Sequence, residues 1–155
     1  MRVLVWLAEG TWEACVDAAR ELGGEVTLLH VVDVDTAAAL SGPAGLLGRA
    51  QSGGEAMLAR AEDELIGAAT ARLGRVAGTI KTRGRPEREV VSACAGFDVL
   101  VLARDGDRSR LGPRSLGHAT RFVVDHTPCK IFLVWPEASP GLSTIPTPPY
   151  HDQKR

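Results

Sequence analysis

Apolar runs separated by stretches of helical spacing organise this chain. Val3 to Leu7 is almost continuously apolar, as are Val26 to Val32 (VTLLHVV), Phe97 to Ala103 and Cys129 to Trp135. Val76 to Thr82 is a weaker run with a glycine inside it. Such runs suit strands of a parallel sheet covered on both faces, where no solvent-facing side demands polar alternation. Between the first two, Thr11 stands where a helix cap is needed. Ala14, Cys15, Ala18, Ala19 and Leu22 then share one helical face, and Gly23-Gly24 ends the helix. Glu55 to Leu73 carries the strongest helical pattern, with Leu58, Ala61, Leu65, Ala68, Ala69 and Arg72 along one face. Pro86 suits the first turn of a helix that buries Val90, Val91 and Cys94. Ser115 to His126 predicts another, with Leu116, Ala119, Phe122 and Val123 inward. Asp33 to Gly54, punctuated by Ser41-Gly42-Pro43 and Ser52-Gly53-Gly54, reads as a long loop with room for a helical turn in its middle.

The alternation of strand and helix predicts an α/β fold, a doubly wound parallel sheet with helices on both faces. With 155 residues, the chain is the length of one domain with a full core. Residues 1–136 read as that domain. Residues 137–155, rich in proline and polar residues, read as a flexible or loosely attached tail.

Composition changes this picture mainly by exclusion. Hydrophobic residues make up 45%, charged residues 24%, and the formal net charge is −1, so no nucleic-acid partner is expected. Cys15, Cys94 and Cys129 are odd in number and lie far apart, which argues against a disulfide framework or a zinc site and for the cytosol. They read as small core residues. The opening residues read as a strand, not a signal peptide, and no run is long enough to span a membrane.

Candidate chemistry gathers after the Phe97–Ala103 run. Arg104, Asp105, Gly106, Asp107, Arg108, Ser109, Arg110, Leu111, Gly112, Pro113 and Arg114 form a charged, glycine-bearing loop ahead of a helix. Strand, loop and helix N-terminus in that order can hold an anion, with Ser109, Ser115 and Thr120 as hydroxyl donors and Arg121 adding charge. A solvated charged loop reads equally well. His118 reads as polar filling at a helix start, with no partner that would make it a base. His30 reads as a hydrogen-bonded core histidine. There is no Gly-x4-Gly-Lys-Ser/Thr loop, no evident catalytic base and no paired acidic metal ligands, so no hydrolytic machinery is expected.

Four segments carry a family likeness: VLVWLAEGT at the first strand, TLLHVV at the second, GRPEREVVSACAGFDVLVLARDG from Gly84 to Gly106, and LGHATRFVVDHTPCKIFLV with its His126, Pro128 and Cys129 joint. In order and spacing, from Arg2 to Trp135, they resemble the universal stress protein family. The resemblance implies the adenine nucleotide alpha hydrolase-like arrangement, a five-stranded parallel sheet of order 3-2-1-4-5. Ligands in such sheets lie beyond the carboxyl ends of the strands, where the order reverses. Family members that bind ATP carry Gly-x2-Gly-x9-Gly-Ser/Thr after the fourth strand. The matching residues here are Ala103, Gly106, Gly117 and His118, with ten residues between the last two glycines. The first glycine is thus alanine and the hydroxyl residue histidine. The implied nucleotide site comprises Ala8, Glu9 and Gly10 after the first strand and Val31 and Val32 as backbone contacts for a base. After the fourth strand it comprises Ala103, Arg104, Gly106, Ser115, Gly117, His118 and Ala119. The implied protein is a cytosolic stress-response sensor or switch, not an enzyme. It binds ATP or a related adenine nucleotide, with Mg as companion ion, and forms a homodimer through Ile131 to Trp135, an apolar edge open to pairing. Ala103 and His118 favour an alternative, a dimeric interaction module of the same fold that binds no nucleotide. A phosphorelay receiver is excluded: Ala8 and Glu9 stand for its acidic pair, Thr82 and Arg83 for its phosphorylated Asp, and no lysine follows Trp135. Glu9-Gly10-Thr11-Trp12 likewise fits neither a flavodoxin phosphate loop nor an ATP-pyrophosphatase loop.

Overall fold

In the computed structural model, which describes residues 1–41 and 49–148, five strands form one parallel sheet. They are β1 (Arg2–Trp6), β2 (Glu25–Asp33), β3 (Gly78–Gly84), β4 (Val99–Ala103) and β5 (Lys130–Val134), in the spatial order β3-β2-β1-β4-β5. The doubly wound arrangement of order 3-2-1-4-5 is therefore present. Five helices accompany it among the described residues: α1 (Trp12–Leu22), α2 (Val34–Ser41), α3 (Arg49–Leu73), α4 (Pro86–Ala93) and α5 (His118–His126).

The apolar runs become the central strands because both faces of the sheet are covered. Alternate residues of a strand point to opposite faces. Val3, Val5, Leu28 and Val101 pack against Cys15, Val16 and Ala19 of α1 and Ala69 and Leu73 of α3. On the other face Leu4, Leu29, Leu100 and Leu102 meet Val90 and Cys94 from the α4 segment and Val123 of α5. In register, Val3, Leu4 and Val5 of β1 face Val26, Thr27 and Leu28 on one side and Val99, Leu100 and Val101 on the other. An exposed ion pair, Arg72 to Asp17, joins α3 to α1 and holds the Asp17 carboxyl below its usual range, mainly through the Arg72 hydrogen bond.

Several local expectations need correction. Asp33 to Gly54 is not mainly loop: α2 occupies Val34–Ser41, and α3 begins at Arg49 and runs through Gly53 and Gly54. A glycine inside a helix costs about 1 kcal/mol relative to alanine. Here α2 packs on α3 with Ala37 buried, and this tertiary contact overrides the local preference. The Gly42-Pro43 part of the expected loop lies outside the described residues. Thr11 occupies the N-cap of α1, but its side chain makes no cap hydrogen bond. The backbone enters the helix instead through the Ala8 carbonyl, which accepts from the Thr11 and Trp12 amides, with Gly10 at φ 82° making the turn. The predicted helix from Ser115 is interrupted. A 3-10 turn spans Pro113–Ser115, Leu116 and Gly117 are extended, and α5 starts at His118. Strand ends shift by one or two residues, the usual latitude of such boundaries.

The chain beyond Pro136 makes defined contacts before residue 149. The Thr144 hydroxyl accepts the Leu111 amide at 3.0 Å, and Glu137 pairs with Arg108 at 2.6 Å. Residues 149–155 of the expected tail lie outside the described residues.

All three cysteines are free. Burial pushes the Cys15 thiol up to about 12, and burial with the neighbouring Cys129 does the same for Cys94. Since the thiolate is the reactive form, native protein at pH 8 should give one fast equivalent with a thiol reagent, from the half-buried Cys129. Cys15 and Cys94 should react only at the unfolding rate. Cys129→Ser should remove the fast phase.

Candidate functional site

Two features sit beyond the carboxyl ends of the strands. The first is a cavity of about 530 Å³ between the ends of β1 and β2 and the helices α2 and α3. Trp6, Leu7, Ala8 and Glu9 line it from β1 and the turn after it, and His30 to Asp33 from β2. Thr36 of α2 and Met57, Leu58, Ala61, Glu62 and Leu65 of α3 form another wall, with Pro86 at the start of α4. The cavity's polar groups are few. The His30 Nδ1 and a Glu62 carboxylate oxygen form a close pair across it, and Asp33 accepts the Asp35 amide at 2.9 Å. Glu9 is exposed at the rim.

The second feature is the loop between β4 and α5, and it is closed upon itself. The Gly106 amide donates to the Ser115 carbonyl and the Asp107 amide to the Arg114 carbonyl, both at 2.8 Å. The Asp105 carboxylate occupies the N-terminus of α5. One oxygen accepts the Gly117 amide at 2.8 Å and the other the Thr120 hydroxyl at 2.8 Å. A carboxylate is well placed there, because unpaired amides and the helix dipole favour negative charge. Ser115 is fully buried. Its hydroxyl donates to the Gly112 carbonyl at 2.7 Å and accepts from Arg104 Nη1 at 2.6 Å. The Arg104 guanidinium also lies over the Trp135 ring, 4.8 Å from its centre.

The structure thus separates the sequence-derived residues into two groups. Ala8, Glu9, Val31 and Val32 come together at the cavity, with Gly10 in the turn that follows. Ala103 at the end of β4, Arg104, Gly106, Ser115 and Gly117 in the loop after it, and His118 and Ala119 at the start of α5 do not line it. His118 is exposed and plugs nothing. The protein's own backbone packing requires glycine at 106 and leaves little room for a side chain at 117. A Cβ on Gly106 would stand 2.3 Å from the Arg114 carbonyl oxygen, and one on Gly117 3.0 Å from the Asp105 carboxylate.

Sequence reasoning missed the part played by Asp105, whose partners lie 12 and 15 residues away, so that no local pattern signals the contact. It also read Leu58, Ala61 and Leu65 only as a core stripe. Glu62 beside them, opposite a histidine within an apolar strand, was the available signal. Among the described residues no cluster of His, Cys, Asp and Glu could hold a metal ion, and no helix is long and apolar enough to cross a membrane.

Comparison with known proteins agrees with this architecture. Solved structures with the same fold include the hypothetical protein MJ0577, at 19% identity and a TM-score of 0.68, covering 89% of this chain and 97% of that one. The universal stress protein UspA from Lactobacillus plantarum follows at 23% identity and a TM-score of 0.62, covering 86% and 97%. A universal stress protein solved in complex with cAMP matches at 15% identity and a TM-score of 0.56, covering 88% and 98%. No curated protein sequence matches the chain. Residues 7–134 match the universal stress protein family, and with the sheet order and the strand-end cavity in place, the chain belongs to that family.

Proposed function

We propose that this protein is a cytosolic, non-hydrolysing stress-response sensor whose cavity takes the adenine moiety of a nucleotide or nucleoside. The observation that carries this reading is the cavity at the carboxyl ends of β1 and β2, apolar for most of its wall and edged by a few carboxylates. A flat heteroaromatic ring suits such a wall, and Val31 and Val32 are among the residues that line it. The cAMP bound by one structural relative is in keeping with it. Among the described residues that line the cavity none pairs a nucleophile with a base, which is in keeping with binding without turnover.

A homodimer through β5 belongs to the same reading. This strand is the sheet edge, and Phe132 on it is exposed. The self-closed β4–α5 loop favours a second reading, an interaction module that binds no nucleotide.

Calorimetric titration with adenosine and with ATP tests the choice, and quenching of Trp6 in the cavity wall provides a parallel signal. The expected result is saturable heat for at least one of the two, with Kd at or below about 1 mM. Silence with both at millimolar concentration, alongside a dimer in sedimentation, would establish the second reading.

A further inference from the structure

We infer that this site selects an uncharged adenine nucleoside over ATP, because the protein's own Asp105 carboxylate occupies the anion position at the start of α5. The inference rests on the adenine reading above and narrows its ligand class. Three observations carry it.

First, the β4–α5 loop does not fit a triphosphate. The Gly117 amide and the Thr120 hydroxyl are taken by Asp105, the Gly106 and Asp107 amides by the carbonyls of Ser115 and Arg114, and the Ser115 hydroxyl by Gly112 and Arg104. A phosphate arriving there finds these donors engaged and a carboxylate beside them, with the buried Arg104 Nε and the first-turn amides of α5 left as donors. Second, the approach of phosphate to backbone that glycine permits is already used internally. The Arg114 carbonyl fills the space beside Gly106, and Asp105 fills that beside Gly117. Third, the cavity lining is acidic on balance. Glu9, Asp33 and Glu62 line it, Glu62 being paired with His30, and among the described residues no lysine or arginine does. Carboxylates accept hydrogen bonds and donate none when ionised. They match the amino group of adenine and the hydroxyls of ribose, which are donors, and they oppose phosphate oxygens.

Two of the four loop arginines are committed elsewhere, while Arg110 and Arg114 are exposed near Asp107. Arg104 is turned to Ser115 and Trp135, and Arg108 is paired with Glu137.

The test is calorimetric titration of adenosine, AMP and ATP into the native protein and into Asp105→Asn. Asparagine keeps the shape and an acceptor for the Gly117 amide while removing the charge. Native protein should bind adenosine roughly ten-fold more tightly than ATP, with AMP between them. In Asp105→Asn the ATP affinity should rise roughly ten-fold, while adenosine stays within about two-fold and so reports an intact fold. Native protein that binds ATP as well as adenosine would overturn the inference and leave the adenine reading standing. An unchanged ATP affinity in Asp105→Asn would overturn the role given to Asp105. No binding of any of the three would overturn the adenine reading, and this inference with it.

Discussion

Leu100→Ala will lower stability by about 2–5 kcal/mol, read as a shift of the urea midpoint at an unchanged slope. Leu100 stands in the middle of β4, flanked in register by Leu4 of β1 and Ile131 of β5, and no part of it reaches solvent. Its side chain belongs to the cluster that also holds Leu29, Leu102, Val90 and Val123, so the sheet and both helices on that face share it. Removing three carbons leaves a void whose walls are held by strand pairing on two sides. Relaxation is therefore limited, and the cost falls in the upper part of the range. A loss under about 1 kcal/mol would mean that the two helices collapse onto the sheet far more easily than the packing implies.

Gly106→Val should destabilise by about 3 kcal/mol, through backbone displacement rather than lost burial. The first atom added would sit 2.3 Å from the Arg114 carbonyl oxygen and 3.0 Å from the carbonyl carbons of Ser115 and Leu116. Backbone cannot swing aside as a side chain does. The chain must open between Gly106 and Ser115, which breaks the paired amide–carbonyl bonds at 2.8 Å and loosens the Ser115 hydroxyl from Gly112. Gly53→Ala is the matching control. It lies within α3 with open space around its Cα, so alanine should be neutral or stabilise by up to about 1 kcal/mol. Equal effects at the two positions would show that the tight return at Gly106 is not rigid.

The consequence for function follows from the same loop. A family-like glycine pattern invites the reading of a phosphate cradle, yet each of these two glycines accommodates a neighbour from this chain. Of the visible departures from the pattern, Ala103 and His118 make none of the contacts that Asp105 makes at the start of α5. Ala103 is buried in the sheet core, and His118 points to solvent.

The sequence alone determined the sheet. Val3–Leu7, Val26–Val32 and Phe97–Ala103 declare themselves because strands covered on both faces must be apolar at nearly every position, and the helix over Glu55 to Leu73 because its buried stripe repeats locally. Tertiary structure alone decided α2, the extension of α3 through its glycines, the break before α5, and the division of the candidate site into an open acidic cavity and a loop folded back on itself. These depend on partners distant along the chain: Asp105 on Gly117 and Thr120, Glu62 on His30, and Thr144 on Leu111. Periodicity records what a residue shares with its near neighbours in the chain. It carries no record of which distant carboxylate arrives first at a helix end, and that arrival settles where negative charge resides.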